Sequence, residues 1–85
     1  MEQLATFANI SQMEPQQILG TNVRRLREAK GWSQEDLAEN ANLHRTYVSG
    51  IERGVRNPSL TIVFKLAAAL GVEPGILVNR KASKS

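Results

Sequence analysis

Residues that open and close helices recur so often along this chain that only short helices fit between them. Pro15 suits a first helical turn, where its missing N–H is not needed, and Gly31 offers the left-handed position that ends a helix. Ser33 is a strong N-cap, followed by Glu35 and Asp36 in the turn it opens, where negative charge complements the helix dipole. Asn42 tolerates positive φ better than other residues with a Cβ, so it marks a break. Gly54 closes a further helix, Ser59 caps the next, Gly71 stops it, and Pro74 opens a last turn. The marks predict helices over 15–30, 33–40, 45–53 and 60–70, then a turn over 74–78. Gly20 argues against the first turn of the first helix, because glycine is a poor helix former.

Apolar spacing agrees with this division. Ile18 or Leu19, Val23, Leu26 and Ala29 recur at helical intervals, Leu37, Ala38 and Ala41 give the second helix an inner face, and Val48 and Ile51 do so for the third. In the fourth, Leu60, Val63 or Phe64, Ala67 and Leu70 read as core, and Trp32 reads as packing between two helices. No alternating stretch is long enough for a strand and no period of 20 to 50 residues repeats, so the expected fold is all-α. One compact domain is expected over 15–78, between an N-terminal extension, 1–14, and a basic tail, 79–85, expected to be mobile. The extension carries scattered apolar groups and no Lys or Arg, which fits a frayed arm or a weak partner-binding helix.

With 85 residues the chain has a small core, burying roughly 60 to 65% of its unfolded surface. Eleven Lys and Arg against eight Asp and Glu give a formal charge of +3, which suits a polyanionic partner. The absence of cysteine excludes disulfides and thiolate metal sites, and a single histidine argues against zinc, so no cofactor is expected. No run is long and apolar enough for a membrane span, and the acidic start with no early Lys or Arg is unlike a signal peptide; a cytoplasmic protein is expected. Nothing reads as an enzyme: no paired carboxylates, no nucleophile with its base and no phosphate-cradling glycine loop can be placed.

The segment QEDLAENANLHRTYVSGIERG, Gln34 to Gly54, carries the function. Two short helices flank a break of a few residues. Ala38 is small enough for the two to cross closely, and Leu43 plugs the corner between them. The outer face of the third helix is left with Arg45, Thr46, Ser49 and Gly50, hydrogen-bonding groups or no bulk at all where a core would want leucine. A helix with that face suits the major groove of DNA.

From VRRLREAKGWSQEDLA through HRTYVSGIERGVRNPSL to LAAALGV, about residues 18–78, the chain resembles the Cro/repressor-type helix-turn-helix regulators, also called the xenobiotic-response-element family. Within that family HRTYVSGIERGVRNPSL looks most like the restriction-modification controller proteins. The resemblance implies a five-helix, lambda-repressor-like domain whose partner is double-stranded DNA and which regulates transcription. It implies that Arg45, Thr46 and Ser49, with His44 at the start of the helix, face base edges. Gln34, Arg53, Arg56 and Asn57 would touch backbone phosphates, and Tyr47 at the helix edge would reach a phosphate or a sugar. Arg27 and Glu52 match a pair that ties the first helix to the third by a salt bridge. Two positions depart from the family pattern: His44 stands where Ser, Thr or Asp usually caps the third helix, and Gly50 replaces a side chain that often reads a base.

Ile76, Leu77 and Val78 are three adjacent apolar residues after a short Pro-Gly turn, and they cannot all face one core. Their surplus surface is expected to pair across a two-fold axis in a homodimer. No small-molecule ligand is expected, since the chain ends soon after the domain. The other reading of the fold is an antitoxin or protein-interaction module of a toxin-antitoxin pair, with the extension or the C-terminus holding its partner.

Overall fold

The computed structural model describes residues 13–81. Five helices form, and no strand occurs among the described residues: α1 Pro15–Ala29, α2 Gln34–Ala41, α3 Arg45–Glu52, α4 Leu60–Leu70 and α5 Pro74–Leu77. The expected extension and tail fall outside the described residues, apart from Met13, Glu14 and 79–81.

The helix ends follow from local chemistry. The Ser33 hydroxyl accepts from the Asp36 N–H at 3.0 Å while the Asp36 carboxylate accepts from the Ser33 N–H at 2.8 Å, a reciprocal pair that satisfies two donors the helix cannot. Ser59 Oγ accepts from the Ile62 N–H at 3.3 Å at the start of α4. Asn42 leaves α2 at φ 58°, and Gly54 follows α3 at φ 75°. The turn after α3 is closed by two bonds, from the Gly54 N–H to the Ile51 carbonyl and from the Val55 N–H to the Gly50 carbonyl, both 3.0 Å.

Leu37, Ile51, Leu66, Leu77, Val23 and Val48 are wholly buried and form the centre of the core. Around it α1 lies against α3 and α5, α2 against α3 and α4, and α4 against α5. Trp32, Leu26 and Leu43 pack on the edge of this cluster. Gly20, which weighed against the first turn of α1, is there for packing: a Cβ would collide with the Ile51 carbonyl oxygen and stand 2.8 Å from that of Glu52. Only glycine lets α1 sit this close to the end of α3.

Three apolar assignments are corrected. On α1 the apolar stripe ends at the half-buried Leu26, and Ala29, at the last position of the helix, is exposed. The buried stripe of α4 is Val63, Leu66, Ala67 and Leu70, so Leu60, 72% exposed, and Phe64, 53% exposed, leave the core for the flank beside it. Leu77 is withdrawn from the dimer surface, because it is wholly enclosed by its own protomer; Ile76 and Val78 on either side of it remain exposed.

Asn22 stands on the buried face of α1 with no exposed surface at all. Its Nδ2 donates to the Leu77 carbonyl at 2.8 Å and to the Asn79 carbonyl at 3.1 Å, so α1 holds the C-terminal end of α5 by a polar peg. The Leu77 carbonyl is one that a helix end leaves without an intrahelical partner.

Candidate nucleic-acid interface

The third helix is fixed from behind by one compact polar cluster. Arg27 Nε and Nη2 grip the two oxygens of the Glu52 carboxylate at 2.6 and 2.9 Å, and Nη1 donates to the Trp32 carbonyl at 2.7 Å. The side chains are 10% and 3% exposed. A bidentate pair of this kind fixes an angle as well as a distance. The hydrogen bond to Glu52 pushes the Arg27 pKa above the usual arginine range; desolvation opposes this, and the charges of Glu52 and Glu28 add to it. The cluster has a third member: Gln34 Nε2 donates to Glu52 Oε1 at 3.0 Å. Gln34, expected at a phosphate, also joins α2 to α3 through this amide hydrogen bond. The spacing of Gln34 and Glu52 in sequence carries no trace of this contact, which the crossing of the two helices creates.

With its inner face buried at Val48 and Ile51, α3 turns its other side outward. Arg45 and Thr46 are exposed, as is His44 before them; Ser49 and Tyr47 are half-buried. His44 makes no side-chain cap bond, so α3 starts without the stabilisation Ser33 gives α2. Arg53 is exposed one turn beyond Ser49, and its Nε reaches Ser49 Oγ at 3.4 Å. Arg56 and Asn57 stand exposed in the loop that follows. The structure thus brings Arg45, Thr46, Ser49, Arg53 and Arg56 onto or beside one helix. Among the described residues, no carboxylate pairs with Arg45, Arg53 or Arg56. The one acid on α3, Glu52, is neutralised by Arg27, so the charges left on and just beyond the solvent side of the helix, those of Arg45, Arg53 and Arg56, are all positive.

A notch of about 540 Å³ opens beside the start of α3, lined by Asn42, Leu43, His44, Thr46, Tyr47 and Arg56. Gly50 is buried on α3, with the side chain of Arg56 lying where its Cβ would be. Among the described residues, no group of three or more His, Cys, Asp or Glu is arranged to hold a metal ion, and no helix is long and apolar enough to cross a membrane.

Comparison with known proteins places this geometry. A helix-turn-helix family model matches residues 23–77. The control protein C.BamHI of Bacillus amyloliquefaciens is 49% identical over 63 residues, covering 73% of this chain and 78% of that protein. The crystal structure of the restriction-modification controller protein C.AhdI from Aeromonas hydrophila superposes with a TM-score of 0.71 at 52% identity, over 73% of this chain and 94% of that one. The controller protein C.Esp1396I, solved as a tetramer in complex with its natural 35 base-pair operator, gives a TM-score of 0.70 at 34% identity over 76% of this chain and 86% of that one. By its match and by its architecture, the chain belongs to the helix-turn-helix family of DNA-binding transcription regulators.

Proposed function

We propose that this protein is a controller-type regulator that binds a palindromic or near-palindromic operator as a homodimer, with α3 of each protomer in the major groove. The observation that carries the reading is the outward flank of α3, made of hydrogen-bonding and positively charged side chains and set on a helix whose back is fixed by Arg27 and Glu52. Arg45, at the exposed start of the helix, is the base reader, with Thr46, Ser49 and His44 beside it; a bidentate arginine–guanine contact discriminates by roughly 1–3 kcal/mol. Arg53, Arg56, Asn57, Tyr47 and the second amide hydrogen of Gln34 hold the backbone and set register. The domain over 15–78 is the DNA-binding unit, working on the bacterial nucleoid in the cytoplasm.

Dimerisation is supported by Leu60 and Phe64 on α4 and by Ile76 and Val78 at α5, apolar residues that the protomer leaves exposed. C.Esp1396I assembles on its operator as a tetramer. Two-fold pairing would present two α3 helices to half-sites about 34 Å apart, or a multiple of it.

Selection of binding sites from random duplex DNA tests the proposal. The wild type is expected to recover a two-fold symmetric site. Arg45→Ala is expected to lose preference at particular base pairs, and Arg53→Ala to weaken all sequences alike and lower the salt dependence. An unchanged preference for Arg45→Ala would remove the base-reading assignment, and recovery of no selective site would remove the function.

A further inference from the structure

Arg56 belongs to the loop after α3, yet it lies back along that helix. The Gly54 turn and the bond from the Val55 N–H to the Gly50 carbonyl reverse the chain sharply enough for this. A Cβ built on Gly50 would stand 2.6 Å from Arg56 Cγ, 3.3 Å from its Nε and 3.5 Å from its Cδ, so the aliphatic stem crosses the helix where glycine has no side chain. Further along, the Arg56 guanidinium carbon is 5.6 Å from the centre of the Tyr47 ring. Tyr47 and Gly50 are three residues apart on α3, one turn, and together they form a track running toward the N-terminal end of the helix. The track ends at the notch that Arg56 shares with His44 and Thr46.

We infer that Gly50 and Tyr47 are positioning residues: they seat Arg56 along the exposed flank of α3, so that a cation from the loop meets a DNA backbone phosphate in a fixed place. The inference rests on the reading of α3 as the groove-binding helix, and explains why glycine stands at a position of that helix where a side chain is usual. An alanine there collides with Cγ, close to the root of the arginine, so the whole side chain must leave the track. The cost falls on Arg56 rather than on the helix, because alanine is the better helix former. Holding the guanidinium over an aromatic ring removes ordering that would otherwise accompany binding.

The experiment is a double-mutant cycle of Gly50→Ala and Arg56→Ala on the operator selected by the wild type, with salt titrations. One phosphate contact fewer lowers the slope of log K against log salt by about 0.9, which at ~0.1 M salt is about eightfold in affinity. Each single variant is expected to show that loss, and the double variant no more than either. If Gly50→Ala costs as much in the Arg56→Ala background, the glycine serves a direct approach of the helix backbone to DNA and the seat is wrong. Full affinity and an unchanged slope for Gly50→Ala overturn it too. In the DNA-free protein, the Tyr47 ring is expected to shift the Arg56 methylene proton resonances, and Gly50→Ala or Tyr47→Leu to abolish the shift. A wild type that binds its operator but lacks the ring shift sinks the seat alone; one that selects no duplex sinks the reading beneath it, whatever the ring shift shows.

Discussion

The back of α3 and the outer flank of α4 are held in opposite ways. Behind α3, Arg27, Gln34 and Glu52 exchange hydrogen bonds in a largely buried cluster, and Gly20 brings α1 into contact with the helix end. On the flank of α4, Leu60 and Phe64 stand largely in water, with Ile76 and Val78 exposed at α5. The first region is complete within the chain; the second is apolar surface that the proposed dimer would cover. Polar bonds fix a direction, and directional precision is what a groove-reading helix requires. Apolar surface supplies affinity without much direction, which suits an interface between copies.

The comparison can be broken most severely at Glu52. Glu52→Ala leaves the Arg27 guanidinium buried without its carboxylate, and such losses cost on the order of 3 kcal/mol. Denaturant unfolding should show a lower midpoint with an unchanged slope, and a loss below about 1 kcal/mol would mean that the pair is effectively solvated. Next, Phe64→Ser should leave protomer stability within about 0.5 kcal/mol while weakening self-association. With roughly half the ring available and two copies in a symmetric interface, about 2 kcal/mol, or some thirtyfold in dimer dissociation constant, is expected. Sedimentation equilibrium reads it, and wild-type association in the variant would exclude this flank from the interface. The smallest effect sharpens the contrast within the reading unit itself: His44→Ser gives α3 the cap it lacks and should raise stability by about 1 kcal/mol in thermal unfolding.

Most of the fold was legible because its helix boundaries are local. Ser33, Asn42, Gly54, Ser59 and Gly71 act on neighbours a few residues away, and each stands where the backbone uses it. The sequence readings missed where two helices meet. Gly20 looked like a weakness because its reason lies in the carbonyls of Ile51 and Glu52. Leu60 and Phe64 were read as core because period alone does not say which edge of an apolar stripe α2 and α5 will cover. Leu77 was assigned to the dimer surface, and the bond from Gln34 to Glu52 went unforeseen, on the same ground. The outward face of α3 was legible from composition, since Arg45, Thr46 and Ser49 leave little else for that side, whereas the path of Arg56 across Gly50 depends on a turn and could not be. Asn22 went unremarked, though a polar residue in register with Ile18 and Leu26 on an apolar stripe is a signal that a buried group is being satisfied.

That asparagine also sets a limit on chemical ageing. Both hydrogens of its amide point at main-chain oxygens, of Leu77 and Asn79. Deamidation, which turns the amide into an acid, would leave at most one proton where two now serve these carbonyls, so one of them would lose its partner and the hold of α1 on the last turn, with Ile76 and Val78 on it, would weaken.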